Sequence, residues 1–324
     1  MNTIYVSEPI HPQVIADMSA KANVLLGFGP KAVRYEDIAD QAQAVMLRSE
    51  KFPAERIMVS AKLRVIARHG AGIDTVDVAT AQERGIAVTY CPGGNANAVA
   101  EHVFALMLSL SRKIVESHTD LIKAPWPRAK AHLVGQELSG RTLGIIGFGE
   151  IGKLVNRIAQ GFQMHVLAYD PFLSPDAAQS NGVVQVGLDE LLMRSGAISL
   201  HAPLTSSTQH LINADRLSLM RPDAFLVNTS RSGLVDENAL AAVLIKGTIA
   251  GAALDVAEAE QATSDRVMFG NYELEHVPNL ILTPHIAGQT EQALLKVGTT
   301  AWNDVQAVLS GQTPRYLVGR SSSV

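Results

Sequence analysis

Short apolar runs alternate with segments of helical periodicity along almost the whole chain. The first series of runs predicts strands at residues 3–7, 23–27, 44–48, 64–68 and 87–90. The second series predicts strands at residues 142–146, 164–169, 197–201, 224–228, 249–255 and 280–283. Runs that are apolar at successive positions are typical of parallel strands buried on both faces. The alternation therefore predicts an α/β fold with two doubly wound parallel sheets.

The helical segments indicate how the two sheets are divided between domains. Helical periodicity is clearest at about residues 98–117, 151–162, 237–246 and 290–310. The last of these segments is too short to form a domain of its own. We therefore predict a discontinuous first domain, residues 1–98 and 287–324, around a second domain of residues 99–286.

Composition narrows the class of protein. Apolar residues make up 47% and charged residues 18% of the 324 residues, and the net charge is −4. These values indicate a sizeable core and give no sign of a nucleic-acid surface. The single cysteine, Cys91, excludes a disulfide within the chain and a cysteine metal site, and we predict no metal. With no leader pattern and no apolar run near the roughly 18 residues that span a bilayer, we expect a soluble cytoplasmic protein.

A glycine-rich turn follows the predicted strand at residues 142–146 and opens a helix. Gly147, Gly149 and Gly152 form the pattern G-x-G-x-x-G. The first glycine permits a tight turn, the second lets the backbone approach a pyrophosphate, and the third allows close helix–strand packing. Asp170 ends the next strand, where a carboxylate accepts hydrogen bonds from a ribose and repels the 2′-phosphate of NADP. These features predict a Rossmann-like domain that binds NAD. The alternatives are a turn that is merely rich in glycine and, for Asp170, a helix cap or a turn residue.

Three polar residues follow strands of the second series: Arg231, Glu260 and His285. Ligands of an open α/β sheet bind outside the carboxyl ends of its strands, so we expect these side chains to converge. Reduction of a 2-keto acid by NADH needs a cation for the carboxylate, which an arginine supplies. It also needs a general acid for the C2 oxygen, which a histidine oriented by a carboxylate supplies. Alone, Arg231 also fits a helix cap or an ion pair with Asp236. Glu260 also fits a solvated acidic stretch, and His285 a packed or hydrogen-bonded position.

Ordered motifs run along most of the chain. They lie at residues 68–77, 95–102, 140–152, 169–171, 201–205, 228–237, 251–260 and 283–288. Together they resemble the D-isomer-specific 2-hydroxyacid dehydrogenases, nearest the phosphoglycerate dehydrogenase-like branch without a C-terminal regulatory domain. The resemblance implies an NAD-dependent oxidoreductase acting on a CH–OH group, with Arg231, Glu260 and His285 as catalytic residues. The family places its glutamate five residues after an aspartate, here Asp255, which selects Glu260 rather than Glu258.

The resemblance also implies the residues that surround the cofactor and the substrate. The cofactor positions are Gly147, Phe148, Gly149, Glu150, Ile151, Gly152, Asp170, His201, Ala202, Pro203, Thr208, Thr229, Ser230, Asp255, Val99 and Gly288. The substrate positions are Arg48, Ala71, Gly72, Arg231 and His285. The implied partners are a small 2-hydroxy or 2-keto acid and a second copy of the chain, the homodimer forming through residues 98–117 and 121–134.

Arg48 bears on which acid is the substrate, because it matches an arginine that phosphoglycerate dehydrogenases use near the phosphate. Further positive charge is expected from Lys51, Arg68, His69, Arg128 and Lys130. We therefore expect a second anionic group on the substrate. This favours 3-phosphoglycerate and leaves sulfolactate, malate and hydroxypyruvate or glyoxylate open. A salt bridge from Arg48 to a neighbour is the structural alternative.

The sequence also departs from the family pattern. Gln261 stands where the family usually has proline, and Ala257 where an aromatic residue is common, so residues 261–272 are expected to follow a different path. A formate dehydrogenase-like enzyme is an alternative, but such enzymes pair glutamine with the catalytic histidine, and Glu260 argues against it. An NAD-sensing corepressor-like protein of the same fold, which acts by binding partners, is the alternative outside enzymes.

Overall fold

The structure is a computed structural model that describes residues 1–123, 126, 131–261 and 266–319, the side chains of residues 260 and 261 excepted. The chain divides into two units. The first unit consists of Met1–Asn95 and Gln289–Val324, and the second of Ala96–Gly288.

The first unit contains a five-stranded sheet in which all neighbouring strands are parallel. Its strands are β1 (Thr3–Val6), β2 (Asn23–Leu26), β3 (Ala44–Leu47), β4 (Val65–Arg68) and β5 (Ala87–Thr89), and their order is β2-β1-β3-β4-β5. Its α-helices are α1 (Pro12–Ser19), α2 (Ala54–Met58), α3 (Val78–Glu83) and, from the end of the chain, α11 (Glu291–Leu309). The chain direction across the sheet reverses between β1 and β3, which makes the loops after these two strands the expected place for a ligand.

The second unit contains a seven-stranded parallel sheet and a short antiparallel pair. The sheet is formed by β6 (Thr142–Ile146), β7 (His165–Tyr169), β8 (Val184–Gln185), β9 (Ala197–Leu200), β10 (Phe225–Asn228), β11 (Gly251–Leu254) and β14 (Leu280–Leu282), in the order β14-β11-β10-β9-β6-β7-β8. The antiparallel pair is β12 (Met268–Phe269) with β13 (Tyr272–Glu273). The α-helices are α4 (Ala96–Ser111), α5 (Ile114–Lys123), α6 (Glu150–Gly161), α7 (Pro175–Ser180), α8 (Leu188–Arg194), α9 (Ala214–Leu219) and α10 (Glu237–Lys246). Here the chain direction reverses between β6 and β9.

Local signals in the sequence explain where several helices begin and end. The side chains of Asp77, Asp236 and Thr290 accept hydrogen bonds from the first turns of α3, α10 and α11. These caps satisfy amides that have no partner within the helix. Gly247 ends α10 in a left-handed conformation at φ 68°, which a residue without a Cβ adopts easily.

The predicted α/β class with two doubly wound parallel sheets is confirmed. All positions of β3, β9, β10 and β11 are buried, as expected for central parallel strands. The prediction of one helix at residues 98–117 is wrong, because α4 and α5 are separate. Between them Lys113 takes a left-handed conformation at φ 52°, which interrupts the helix without a glycine or proline.

None of the described helices is both long enough and apolar enough to span a bilayer.

Candidate functional site

The glycine turn after β6 is built for close backbone approach. Gly147 has φ 91°, and a Cβ on it would lie 2.6 Å from the carbonyl carbon of His201 and 2.7 Å from the nitrogen of Ala202. A Cβ on Gly152 would collide with the carbonyl oxygen of Gly147. Glycine is therefore required at both positions by contacts inside the protein, and the turn sits where the chain direction in the sheet reverses.

Gly149 differs from its two neighbours in the motif. A Cβ on Gly149 would meet no atom of the protein within 4 Å, so the space beside it is open. Gly149 also caps α6, and in the described part of the chain nothing accepts a hydrogen bond from the first amides of that helix, those of Gly149, Glu150 and Ile151. An open cradle at a helix N-terminus suits an anionic group such as a pyrophosphate. The residues here therefore fit NAD.

Asp170 is tied to the glycine turn. Its Oδ2 accepts a hydrogen bond from the amide of Phe148 at 2.7 Å, and its Oδ1 accepts one from the amide of Phe172 at 2.8 Å. The second contact closes a local turn, which is the role that the alternative for Asp170 predicted. The first connects the end of β7 to the turn after β6. Each carboxylate oxygen can accept a further hydrogen bond, so both roles fit one side chain.

The residues after β9 form a hydrogen-bonded loop. His201 Nε2 lies 2.9 Å from Ser199 Oγ, and burial lowers the pKa of His201 to about 3, which leaves the imidazole neutral near pH 7. Thr208 Oγ1 donates to the carbonyl of Pro203 at 2.7 Å and accepts from the amide of Thr205 at 2.7 Å. Thr208 thus fixes the loop that begins at Pro203.

Asn228 shapes the turn after β10. Its side chain donates to the carbonyl of Arg231 at 2.8 Å and accepts from the amide of Ser230 at 3.0 Å. Ser230 Oγ donates to the carbonyl of Ala202 at 2.7 Å, which joins this turn to the loop after β9. Arg231 Nη1 donates to the carbonyl of Ser230 at 2.8 Å. Within the described residues Thr229 Oγ1 is buried without a hydrogen-bond partner.

Asp255, at the end of β11, holds the loop after β14. It is fully buried, and its carboxylate accepts from Thr283 Oγ1 at 2.5 Å and from the amides of Ile286 and Ala287 at 2.9 and 2.7 Å. The amide of His285 donates to the main-chain carbonyl of Asp255 at 3.0 Å. His285 itself is exposed and has φ 55°, a conformation that the surrounding contacts must hold. Asp255 therefore positions the backbone that carries His285.

The order β14-β11-β10 places the predicted residues at one edge of the sheet. Arg231 follows β10 and His285 follows β14, and both lie at the carboxyl edge with the glycine turn. Glu260 lies in the 3-10 helix Glu258–Gln261 beyond β11, and its side chain is outside the described residues. Of the predicted new path at 261–272, residues 262–265 and the side chain of Gln261 are also outside the described residues. Val99 is buried in α4, and Gly288 is half-buried in the loop before α11.

Reasoning from the sequence missed the side chains that support this edge, Ser199, Asn228 and Thr283. Each bonds to a residue that had been identified, His201, Arg231 or Asp255. Each also stands in or beside one of the predicted strands, so the available signal was a polar residue at the carboxyl end of an apolar run.

In the first unit Arg48 directly follows β3. Its Nη1 donates to the carbonyl of Pro9 at 2.9 Å, so the partner is the backbone of the loop after β1. Glu8, in that same loop, accepts from the amides of Ser49 and Glu50 at 2.5 and 2.9 Å. Burial raises the pKa of Glu8, but these hydrogen bonds outweigh it and leave the pKa below its usual value. The loops after β1 and β3 are thus joined where the chain direction reverses.

The loop after β4 contains Ala71, which is exposed, and Gly72, which is half-buried. His69, at its start, is 6% exposed, and burial lowers its pKa to about 4. His69 is therefore neutral near pH 7, so the expectation that it adds positive charge is wrong. Arg128 and Lys130, named for the same reason, lie outside the described residues.

Comparisons with known proteins agree with this arrangement. The model of the family described as D-isomer specific 2-hydroxyacid dehydrogenase, NAD binding domain, matches residues 104–287. A protein of Synechocystis sp. named D-3-phosphoglycerate dehydrogenase is 36% identical over 319 residues, covering 98% of this chain and 56% of that protein. A protein of Thermococcus litoralis named glyoxylate reductase is 36% identical over 296 residues, covering 90% and 87%.

Among solved structures, the D-lactate dehydrogenase from Aquifex aeolicus complexed with NAD and lactic acid has a TM-score of 0.84 at 29% identity, covering 99% of this chain and 100% of that one. The chain spans little more than half the length of the Synechocystis protein. The match to an NAD-binding domain confirms the prediction of NAD as cofactor. The resemblance found in the sequence is confirmed as well, and the chain belongs to the D-isomer specific 2-hydroxyacid dehydrogenase family.

Proposed function

We propose that the protein is an NAD-dependent D-2-hydroxyacid dehydrogenase that transfers hydride between the cofactor and C2 of a small 2-hydroxy or 2-keto acid. One observation carries the proposal. A single sheet edge presents an open, glycine-lined helix N-terminus together with Arg231 and a loop that holds His285. Residues 99–286, which lie within the second unit, are proposed as the NAD-binding domain, and the remainder as the substrate domain.

The proposed chemistry assigns one task to each side chain. NAD supplies the hydride acceptor at the nicotinamide. Arg231 binds the substrate carboxylate through its guanidinium, which stays charged at working pH. His285 takes the proton of the C2 hydroxyl as C2–H leaves as hydride, and returns a proton to that oxygen in the reverse reaction. By the family pattern Glu260 is the carboxylate that supports His285.

We further propose that the substrate carries a second anionic group, 3-phosphoglycerate being favoured. Arg48 supports this proposal, because it lies at the switch point between β1 and β3, where a ligand of the first unit is expected. The named relatives include a D-3-phosphoglycerate dehydrogenase and a glyoxylate reductase. Sulfolactate, malate and hydroxypyruvate or glyoxylate are therefore the competing substrates.

The test combines a substrate panel with one substitution. The panel is D-3-phosphoglycerate, D-malate, D-lactate, sulfolactate and glyoxylate, assayed by absorbance of NADH in both directions. His285→Ala is expected to lower kcat by roughly 10²- to 10⁴-fold, the usual contribution of a general acid–base. Binding of NADH, measured by fluorescence, should stay within about twofold, since the cofactor cradle is untouched.

His165→Ala is the matched control. His165 is exposed at the start of β7, the opposite edge of the same sheet, and its removal should leave kcat unchanged. Near-normal turnover by the His285→Ala variant would contradict the mechanism. Binding of NADH without turnover of any acid would instead favour the corepressor-like alternative.

We also propose a homodimer that uses α5. No described side chain of α5 is buried, and Ile114, Val115, Leu121 and Ile122 are between 41% and 73% exposed. Exposed apolar groups on one helix are typical of an interface. Part of the predicted interface at residues 121–134 lies outside the described residues. Sedimentation equilibrium distinguishes a dimer from a monomer, and a monomer at micromolar concentration would contradict this proposal.

A further inference from the structure

His102, in the middle of α4, contacts the group of residues that holds the loop of His285. Its Nε2 lies 3.2 Å from Thr283 Oγ1 and 3.6 Å from Asp255 Oδ1. The side chain of His102 is 19% exposed and that of Asp255 is 1% exposed. His102 has no part in the proposed chemistry, so its contact with this buried carboxylate needs a separate explanation.

The hydrogen bonds around Asp255 fix which atom donates at each step. Asp255 Oδ1 accepts from the amide of Ile286, and Oδ2 accepts from the amide of Ala287. The carboxylate is thus the acceptor, and the hydroxyl proton of Thr283 points to Oδ1 at 2.5 Å. A hydroxyl has one proton, so Thr283 Oγ1 can only accept from His102. His102 must therefore carry a proton on Nε2.

This chain of donors runs from α4 to the backbone of His285. His102 donates to Thr283, Thr283 donates to Asp255, and Asp255 holds the amides of the next two residues after His285. His285 has a backbone φ of 55°, a value that residues other than glycine rarely adopt. A loop in that conformation keeps its shape only while its surroundings over-determine it.

We propose that His102 is a positioning residue for the reaction, which acts through Thr283 and Asp255 to hold the loop that presents His285. Its donated hydrogen bond orients the Thr283 hydroxyl toward Asp255. Loss of that donor frees the hydroxyl to rotate. The hydrogen bonds between the carboxylate and the loop amides then weaken. The effect on catalysis rests on the proposed dehydrogenase function, whereas the effect on the loop does not.

The experiment compares His102→Phe, which cannot donate, with His102→Gln, whose amide can. The measurements are kcat and KM with NAD⁺ and D-3-phosphoglycerate, or the most active acid of the panel, the Kd for NADH, and amide hydrogen exchange at Ile286 and Ala287. Loss of a hydrogen bond of this kind changes an equilibrium constant by roughly five- to tenfold. We expect His102→Phe to lower kcat and to speed both exchange rates by about that factor, with Kd changed less than about twofold. His102→Gln should restore most of the wild-type kcat and most of the protection of the two amides from exchange.

Two further variants test whether the effect passes through Thr283. His165→Ala changes an exposed position at the opposite edge of the sheet and should alter neither kcat nor exchange. Thr283→Val interrupts the chain at its next member. The double variant with His102→Phe should be no worse than Thr283→Val alone, because His102 acts only through the Thr283 hydroxyl. If His102→Phe does not fold, Thr283→Val is compared with His102→Gln instead, because the first variant removes the hydrogen bond and the second keeps it.

The outcomes separate this proposal from the proposed function. Equal behaviour of His102→Phe and His102→Gln in exchange and kcat overturns the positioning role, whatever the substrate. So does full additivity in the double variant. A wild-type protein that oxidises no acid, while exchange at Ile286 still responds to His102→Phe and recovers with His102→Gln, overturns the dehydrogenase function and leaves the contact chain supported.

Discussion

Substitution of Gly147 and of Gly149 by alanine separates folding from cofactor binding within one turn. An alanine at 147 must adopt φ 91° and place its Cβ 2.6 Å from the backbone of His201. The left-handed conformation costs about 1–2 kcal/mol, and overpacking against backbone typically adds about 1–3 kcal/mol. We therefore expect Gly147→Ala to lower the free energy of unfolding by about 2–5 kcal/mol.

Gly149→Ala is the matched variant. Gly149 has φ −74° and ψ −158°, which alanine adopts without strain, and its Cβ would enter open space. Replacing an N-cap glycine by alanine costs at most about 1 kcal/mol. The methyl group, however, occupies the space that a pyrophosphate needs, so NADH should bind at least about tenfold more weakly, equivalent to about 1.4 kcal/mol.

The assays are thermal unfolding and fluorescence titration with NADH. For a domain of this size a loss of 1 kcal/mol lowers Tm by roughly 2–4 °C, so Gly147→Ala should melt roughly 4–20 °C below the wild type. Gly149→Ala should melt within roughly 4 °C of the wild type and bind NADH poorly. Equal melting of the two variants, or wild-type NADH affinity in Gly149→Ala, would refute the distinction between a packed and an open glycine.

Two further predictions concern charge. Asp170→Asn keeps an acceptor for the amide of Phe148 and removes the repulsion of a 2′-phosphate, worth about 1–4 kcal/mol at contact distance, so the ratio of NADP⁺ to NAD⁺ affinity should rise at least about fivefold in titrations. His69 has its pKa lowered by burial from 6.5 to about 4, so the folded state binds fewer protons than the unfolded state between these values and stability falls as the pH falls. The wild type should therefore lose up to roughly 3 kcal/mol between pH 7 and pH 4 that His69→Leu does not lose, measured by urea unfolding. Unchanged cofactor preference, or parallel pH curves, would contradict the respective prediction.

Apolar runs predicted all five strands of the first sheet and six of the seven strands of the second, with ends that differ by one or two residues in most cases. They missed β8, whose two residues are both exposed. The prediction works because a central parallel strand is buried on both faces, so its whole length is apolar. The glycine turn was equally readable, since the positions that must be glycine are set by contacts within a short stretch and its nearest strands. Arg231 and His285 could be named as candidates because each lies three residues after the end of such a strand, β10 or β14.

What the sequence did not predict depends on contacts between distant positions. Apolar periodicity continues across Lys113, so the break between α4 and α5 could not be located from the pattern. The resemblance named Asp255 as a cofactor position, but it did not predict that the carboxylate accepts hydrogen bonds from amides more than 30 residues along the chain. Arg48 was expected to form a salt bridge or to contact the substrate. In the structure it donates a hydrogen bond to the backbone carbonyl of Pro9. Partners of this kind are fixed by the sheet order rather than by local sequence.

The sheet order also explains why the candidate residues of both units follow strands that flank a reversal or lie beside one. In the first unit the strand order reverses between β1 and β3, and the loops that follow these strands are joined through Glu8 and Arg48. In the second unit it reverses between β6 and β9, where Gly147 packs against the backbone of His201. At a reversal the helices after the two strands lie on opposite faces of the sheet, which leaves a crevice between the loops. A polar or glycine residue directly after either strand therefore faces that crevice, and this holds without any knowledge of the ligand.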